Sequence, residues 1–315
     1  MLTAISLLFL WIMPVAALDI DLQLSGGYDD NTSLSSEPEE SWFSRYQSSV
    51  FQQFHSETSS LRGGLFFDFS YQDYFSASDN YILEAGGTAR LLTAAGHLQP
   101  GILYRTTLYR DEENPEDEMM GHDVSLYAEY LVNARLTLGL QQTWSRHDYH
   151  NPVEYIEYTS SGSGQGQGNT GGNQVASVIV ESRDDNVIET QCQCTVFLNP
   201  NLTARATGHY NRLSSSIDTE AYNAKGLIFD LSWVHNDRWE TSITGAVRET
   251  DFERVSGTPH RSDNTESVRI MVGRYFFSKR KFAVFVEIEY LDNNSSIEDE
   301  SYHRTVTECG LLFQF

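Results

Sequence analysis

Three side chains suited to proton transfer stand together at His147, Asp148 and His150. A histidine next to a carboxylate exchanges protons near neutral pH, so this cluster is the first candidate for catalysis. If the segment is a strand, however, side-chain alternation places His147 and Asp148 on opposite faces. The sequence has no G-x-S-x-G, H-E-x-x-H or phosphate-loop motif. We therefore predict that the protein is not an enzyme and uses no cofactor.

The three cysteines, Cys192, Cys194 and Cys309, could bind a metal or form a disulfide. Cys192 and Cys194 are two residues apart, a spacing that is hard to bridge within one strand, and they share a face with Ile188 and Val196. We interpret all three as small hydrophobic residues on an apolar face, with a metal-binding pair as the less favoured alternative. No metal site is predicted.

Acidic side chains are the most abundant candidate ligands. The chain has 44 acidic and 21 basic residues and a net charge of −23, which argues against a nucleic-acid partner and against a basic membrane-surface module. Three polar segments hold Asp29, Asp30, Glu37, Glu39 and Glu40; Asp111, Glu112, Glu113, Glu116, Asp117 and Glu118; and Asp292, Glu298, Asp299 and Glu300. These segments form either a well-solvated loop surface, the favoured reading, or a rim that holds divalent cations.

The elements that must position these residues are strands. Runs with a two-residue hydrophobic period alternate with polar, Gly- or Asn-rich gaps. The predicted strands are Leu18–Tyr28, Trp42–Phe54, Leu61–Tyr74, Asn80–Leu92, His97–Arg110, Gly121–Val132, Arg135–Tyr149, Asp184–Leu198, Leu202–Leu213, Ala221–Val234, Arg238–Phe252, Thr265–Phe277, Phe282–Leu291 and Ser301–Phe315. The gaps alternate between long and short, as in transmembrane barrels with long outer loops and tight periplasmic turns. We call the strand ends next to the long gaps the loop side and those next to the short gaps the turn side.

Residues 1–17 are predicted to be a cleaved signal peptide, because the apolar run Leu7–Val15 is too short to span a membrane and small residues lead to Ala17. The later sequence has no apolar run long enough for a membrane helix, so a spanning form must be a closed barrel that pairs its own backbone. The predicted fold class of residues 18–315 is therefore all-β, a transmembrane antiparallel β-barrel of about 14 strands. An even strand number would put both termini in the periplasm of a Gram-negative bacterium, with the barrel in the outer membrane.

Strand parity also sorts the charged residues. A charged side chain at a strand centre is costly toward lipid and acceptable toward a wet lumen. The predicted lumen-lining residues are Arg62, Asp68, Glu84, Arg90, Arg105, Glu129, Arg205, Asp230, Arg248, Arg269, Glu287 and Glu289, with Glu240 and Glu308 of the same parity. Because both signs are similarly represented, we expect a roughly balanced lumen, with the excess negative charge in the loops.

Aromatic residues gather near both predicted strand ends, as in the interfacial girdles of membrane barrels. The turn side has Trp233, Trp239, Phe276, Phe282, Phe313 and Phe315, and the loop side has Tyr28, Trp42, Trp144, Tyr149, Phe252, Tyr290 and Tyr302. The longest gap, residues 150–183, contains the low-complexity stretch Ser160–Gln174. We predict a flexible extracellular loop there, which either stays outside or folds inward as a constriction.

Two stretches resemble known outer-membrane proteins. The residues Glu308, Cys309, Gly310, Leu311, Leu312, Phe313, Gln314 and Phe315 resemble the terminal-strand signature of bacterial outer-membrane β-barrels. This resemblance implies recognition by the barrel-assembly machinery, with Gly310, Phe313 and Phe315 as the membrane-insertion signal. Gly26–Ser33 (GGYDDNTS) resembles the opening of barrels of the β-barrel porin type and of the barrel halves of surface lipoprotein assembly modifiers and exopolysaccharide exporters. Barrels of the assembly-modifier kind are fourteen-stranded. Such exporters usually carry a periplasmic helical-repeat domain first, whereas here the barrel is expected directly after the signal peptide.

Two functions fit this architecture. Barrels of 16–18 strands leave an aqueous channel and eight-stranded ones are filled by side chains, so fourteen strands with inward Arg and Glu favour the open type. We predict an outer-membrane channel or transporter for small polar solutes or ions, surrounded by outer-membrane lipid. The alternative is a structural or export-partner barrel, for surface-protein or polysaccharide export, that is plugged in isolation.

Overall fold

The computed structural model describes residues 17–55, 60–76, 79–93, 96–112, 114–160, 174–253, 259–276 and 281–315. The predicted signal peptide, apart from Ala17, lies outside the described residues. The strands are β1 (Ala17–Asp29), β2 (Ser41–His55), β3 (Leu61–Tyr74), β4 (Asn80–Leu91), β5 (Leu98–Asp111), β6 (Met119–Asn133), β7 (Leu136–Tyr149), β8 (Val153–Ser160), β9 (Gln174–Glu181), β10 (Asp184–Asn199), β11 (Leu202–Ser215), β12 (Tyr222–Val234), β13 (Trp239–Phe252), β14 (Ser262–Tyr275), β15 (Phe282–Ser295) and β16 (Tyr302–Gln314). Short 3₁₀ helices occupy Pro115–Asp117, Asp218–Glu220 and Glu298–Glu300.

Fourteen of the strands close into one antiparallel barrel, in which neighbours along the chain pair and β7 pairs with β10. The barrel closes between its first and last strands, from Asp21 opposite Gln314 to Asp29 opposite Val306. The fold-class prediction of an antiparallel barrel of about 14 strands is confirmed. Among the described residues, no helix is long and apolar enough to cross a membrane.

Three of the tight turns share one device. The side-chain oxygen of Asn133, Asn199 or Asn236 accepts the backbone N–H two residues later, at 2.8 Å in each case. An Asn side chain that bonds its own backbone in this way mimics a turn and fixes it. The Asn side chains therefore stabilise the turns between β6 and β7, between β10 and β11, and between β12 and β13.

The strand register assigns each residue to one of two faces. Directly opposed residues on paired antiparallel strands point to the same side of a sheet. One face has large apolar side chains that remain exposed on the isolated barrel, including Leu22, Leu138, Leu140, Phe229, Ile270 and Val286. The opposite face carries most of the charged residues at strand centres. The apolar face is therefore the outer, membrane-facing surface, and the charged face is the inner surface.

The structure adds a hairpin to the long connection expected over residues 150–183. Strands β8 and β9 pair from Val153 opposite Glu181 to Ser160 opposite Gln174, in a two-stranded sheet separate from the barrel. The expected continuous loop is interrupted here because Val-, Ile- and Tyr-containing segments favour strands. The Gly-, Ser- and Gln-rich centre of Ser160–Gln174, residues 161–173, lies outside the described residues.

The loop-side strand ends reach further than the hydrophobic pattern predicted. Strand β14 begins at Ser262 instead of Thr265, and β15 ends at Ser295 instead of Leu291. The added polar residues form ladder pairs, such as Asp263 opposite Ser295. Asp, Asn and Ser favour turns, but backbone pairing with a neighbour already in register outweighs that preference.

The closing seam depends on two glycines on the inner face. A Cβ at Gly310 would lie 2.5 Å from the carbonyl oxygen of Leu24. A Cβ at Gly27 would lie 2.4 Å from the carbonyl oxygen of Thr307 and 2.5 Å from the ring of Phe43. No real Cβ sits this close to backbone, so only glycine lets β1 and β16 approach each other here.

Candidate functional site: the inner face of the barrel

Within the strand bounds, the inner face carries twice as many acids as bases. Its sixteen carboxylates are Asp19, Asp21, Asp29, Asp68, Glu84, Asp111, Asp123, Glu129, Asp185, Glu189, Asp230, Glu240, Asp263, Glu287, Glu289 and Glu308, and its eight arginines are Arg45, Arg62, Arg90, Arg105, Arg205, Arg248, Arg269 and Arg304. The expectation of a balanced lumen is therefore wrong. Part of the error arises at strand ends, because Asp29, Asp111 and Asp263 were assigned to gaps and point inward. The other inward acids absent from the prediction lie inside predicted strands: Asp19, Asp21, Asp123, Asp185 and Glu189.

All twelve predicted lumen-lining residues lie on this inner face by register, but they form separate clusters instead of one site. Arg105 on β5 reaches carboxylates on both neighbouring strands, Asp123 at 2.6 Å and Glu84 at 3.3 Å. Thr107 donates a hydrogen bond to the same Glu84 at 3.1 Å. This guanidinium is thus held by two opposite charges, and the cluster as a whole carries excess negative charge.

The same arrangement recurs across the barrel. Arg269 on β14 lies 2.6 Å from Glu289 and 3.5 Å from Glu287, both on β15. Arg90 on β4 reaches Glu129 on β6 at 3.4 Å. Charge-assisted contacts of this kind fix the guanidinium groups against the wall.

The remaining predicted residues have looser surroundings. Arg205 lies directly opposite Asp230 on the next strand, and Asp230 accepts a hydrogen bond from Thr244. The guanidinium of Arg248 lies 5.5 Å from the ring centroid of Tyr222. Asp68 lies directly opposite Glu84, and Arg62 directly opposite Arg90. These four residue pairs place side chains on the wall without gathering them at one point.

Sequence reasoning missed the role of Arg45 in joining the two ends of the barrel. Its guanidinium lies 2.5 Å from Glu308 on β16 and donates to Gln72 on β3 at 2.8 and 2.9 Å. Gln23 on β1 also donates to Glu308, at 3.4 Å. The available signal was the alternation of Arg45 and Gln47 with Tyr46 along β2, which puts the arginine on the polar face.

A second set of ion pairs lies at the loop-side ends of the strands. Arg304 on β16 holds the fully buried Asp29 on β1, with 3.0 Å from its Nε to each carboxylate oxygen. Tyr74 donates to the same carboxylate at 3.2 Å. A buried carboxylate must be paired and hydrogen-bonded to be tolerated, and Asp29 meets both conditions.

Arg183, just before β10, holds a buried aspartate in the same way. We call such an arginine, together with the buried aspartate that it holds, a clamp. It donates to the buried Asp185 at 2.8 and 3.0 Å and lies 3.5 Å from Glu220 in the next loop-side connection. Its guanidinium is 4.4 Å from the ring centroid of Tyr149. Burial acts to lower the pKa of Arg183, but the hydrogen bond and charge of Asp185 outweigh it, and the pKa is raised. The guanidinium of Arg183 therefore stays protonated under all ordinary conditions.

Arg261, just before β14, repeats this geometry. It donates to Asp263 at 2.7 and 3.0 Å and lies 3.0 Å from Glu300, and its guanidinium is 4.4 Å from the ring centroid of Phe252. Burial again opposes the charge, yet the hydrogen bond and charge of Asp263 raise the pKa of Arg261. The serines that follow β11 and β15, Ser216 and Ser296, accept equivalent backbone hydrogen bonds at 2.9 and 2.8 Å. The same combination of an arginine clamp and a serine hydrogen bond therefore occurs twice at the loop side.

Three aromatic residues expected in the loop-side girdle lie on the inner face instead. Tyr149 and Phe252 cover the arginines of the two clamps, and Tyr302 is opposite the inward Asn293. The sequence located them correctly at strand ends, but a girdle needs outward side chains and these have inward parity. Tyr149 and Phe252 pack against the guanidinium groups of the clamps instead.

The histidine and acid at the end of β7 do not meet. His147 lies on the inner face, opposite Gly121 and Asp185, whereas Asp148 lies on the outer face and accepts a hydrogen bond from Arg146 at 2.8 Å. Among the described residues, no group of three or more His, Cys, Asp or Glu side chains could hold a metal ion. The described geometry offers only charged and polar surfaces along a wall.

Comparison with known proteins gives the fold alone. No protein-family model matches this sequence, and no curated protein matches it either. The in-vitro folded OmpT, an outer-membrane protein of Vibrio cholerae, superposes with a TM-score of 0.50 at 11% identity, over 95% of this chain and 99% of that chain. A deletion mutant of the TodX monoaromatic hydrocarbon channel superposes with a TM-score of 0.50 at 8% identity, over 94% of this chain and 89% of that chain. The chain therefore has the fold of outer-membrane β-barrels.

Proposed function

We propose that this barrel is an aqueous channel of the outer membrane, for small polar solutes or ions. The observation that carries the proposal is that ion-paired side chains of the inner face remain in contact with solvent. The side chains of Arg269, Glu129 and Arg105 are 52%, 46% and 42% exposed although they point into the barrel. Charges this exposed on the inner face require water inside, because a filled core would bury them.

Open space along the inner wall supports the same reading. A cavity of about 600 Å³ is bounded by residues of β10 to β14, including Glu189, Arg205 and Asp230. A second cavity of about 540 Å³ is bounded by residues of β1 to β4 and β16, including Asp21 and Asp68. Both have mostly polar inner-face side chains, which suits hydrated solutes better than apolar ones.

The proposal extends to the orientation and surroundings of the channel. We propose that both termini lie in the periplasm, that the outer face meets membrane lipid, and that Gly310, Phe313 and Phe315 form the signal for the barrel-assembly machinery. Divalent cations at the acidic loops, such as Glu298–Glu300, are proposed as bridges to anionic headgroups outside. No enzymatic role is proposed.

A second candidate function rests on the clamps at the loop side. Arg183 and Arg261 tie loop-side connections to buried aspartates, and Arg304 ties β16 to Asp29 on β1. A rim held in this way suits a barrel that is closed in isolation. A barrel of this kind would open only with a partner, in the export of a surface protein or polysaccharide. We favour the channel because the exposed charges lie along the wall below that rim.

Conductance distinguishes the two candidates. The folded protein, checked by its heat-dependent mobility on a denaturing gel, is inserted into a planar bilayer in KCl. We expect stable conductance steps from the protein alone, and swelling of liposomes that contain it when small sugars are added. A barrel that inserts, retains its fold and never conducts would contradict the channel and leave the closed export partner.

A further inference from the structure

We infer that the lumen favours cations over anions, and that a strip formed by Asp21, Asp68 and Glu84 contributes most strongly to this preference. The inference rests on the proposed channel and names the class of solute that it passes. It concerns the field inside the barrel, since the described residues hold no chelating group of acidic side chains. The solutes favoured are hydrated monovalent or divalent cations and small organic amines.

The arginines of the inner face offer little to an anion. Five of the eight, Arg45, Arg90, Arg105, Arg269 and Arg304, are already in contact with carboxylates. Two of these five each hold a pair of acids, so their clusters keep a net negative charge. Arg183 and Arg261, just outside the strand bounds, hold two more of the sixteen acids, Asp185 and Asp263. The sixteen carboxylates still outnumber these ten arginines, so the inner face keeps a net negative charge.

Part of the surplus lies in this strip. Asp21 on β1 is opposite Ser49 on β2, Ser49 is opposite Asp68 on β3, and Asp68 is opposite Glu84 on β4. Adjacent strands are about 4.8 Å apart, so the three carboxylates lie within about 15 Å of one another around the wall. Like charges on directly opposed residues, as in Asp68 and Glu84, are unfavourable unless a counter-ion is near. Arg105 lies 3.3 Å from Glu84, but it is shared with Asp123 at 2.6 Å, so Asp21, Asp68, Glu84 and Asp123 together keep a net negative charge.

The space in front of this strip suits a hydrated cation. The cavity of about 540 Å³ there has the three carboxylates among its boundaries, together with amides and hydroxyls such as those of Gln47 and Ser70. Its lining within the described residues includes no Arg, Lys or His. The cavity at β10 to β14, by contrast, has Arg205 and Arg248 as well as acids. Cations are therefore expected to concentrate along β1 to β4.

The strength of the preference can be bounded. A charge-lined cleft with low-dielectric walls raises the local concentration of counter-ions, and we expect K⁺ to permeate about threefold to tenfold better than Cl⁻ in dilute salt. Screening extends over about 10 Å at 0.1 M salt and only about 3 Å at 1 M. The preference should therefore weaken steeply between these two concentrations.

The test measures reversal potentials across a neutral-lipid bilayer under a tenfold KCl gradient. The unmodified protein should give a reversal potential with the sign of a cation-selective channel. The double variant Asp21→Asn/Asp68→Asn should lower the K⁺/Cl⁻ permeability ratio at least twofold. A matched control, Glu249→Gln/Asp251→Asn, removes the same charge from the outer face of β13 and should leave the ratio unchanged. All variants are first checked for heat-dependent gel mobility.

The outcomes separate the inference from the channel itself. Conductance with a ratio of one or below would overturn the cation preference while the channel stands, whereas absence of any conductance would contradict the channel. An unchanged ratio in Asp21→Asn/Asp68→Asn would overturn the role of the strip. If that variant does not fold, Arg90→Gln provides the opposite test, because it leaves Glu129 unpaired and should raise the ratio.

Discussion

Arg304 on the last strand holds Asp29 on the first, so a buried ion pair joins residues 275 positions apart across the closing seam. Asp29 has no solvent exposure and Arg304 is 23% exposed. Together with Arg45 and Glu308 lower on the wall, this pair makes two charged ties between β16 and the first strands. Closure of the barrel is therefore specified by charge as well as by backbone pairing.

Replacing Asp29 by Asn should destabilise the barrel by about 3 kcal/mol or more, because it leaves a buried guanidinium without its counter-charge. The expected result is a lower temperature of conversion to the unfolded gel form. Asp19→Asn, which removes an inner-face charge from an exposed position on the same strand, serves as the control. Equal effects of the two substitutions would argue against the seam pair.

Gly310→Ala should cost about 1–3 kcal/mol, because its Cβ would lie 2.5 Å from the Leu24 carbonyl oxygen and would force β1 and β16 apart. Gly273→Ala is the matched control, since nothing lies within 4 Å of the Cβ position there. Folding yield in detergent and the unfolding temperature measure both variants. If Gly310 matters only for recognition during assembly, Gly310→Ala will fold normally from the purified, unfolded chain.

Arg183→Gln should destabilise the loop side, because both the fully buried Asp185 and Glu220 lose the arginine that pairs with them. We expect a destabilisation of about 2–4 kcal/mol and faster proteolysis of the connection 150–183. Arg261→Gln should behave alike, since it is the second copy of the unit. Arg146→Gln is the control, because its pair with Asp148 is 62% and 45% exposed, and an exposed ion pair contributes little to stability.

The assignment of faces can be tested with neighbouring residues on β7. Leu140 is an exposed outer-face residue, whereas Gln141 points inward and donates to Thr143 at 3.1 Å. Leu140→Arg should destabilise the barrel in a bilayer by about 2–4 kcal/mol, because a charge near the membrane centre loses its hydration. Gln141→Arg should be tolerated. The reverse order in refolding titrations with lipid vesicles would invert the assigned faces.

The strand positions could be predicted closely because hydrophobic alternation is a local property. The predicted Leu202–Leu213 and Arg238–Phe252 differ from β11 and β13 by two residues or fewer at each end. The loop-side ends were less predictable, since Ser262–Asn264 has turn-forming residues and no hydrophobic period. Its pairing depends on the neighbouring strand, which is distant in sequence.

The sequence by itself determined the alternation, the number of barrel strands and the parity of the strand-centre charges, because each depends on residues within one strand or one turn. Only the tertiary structure decided which carboxylates meet which arginines, since Arg304 and Asp29 approach only when the sheet closes. It also decided the charge balance of the lumen. Asp111 and Asp263 resemble loop acids until long-range pairing extends the strands and turns both side chains inward.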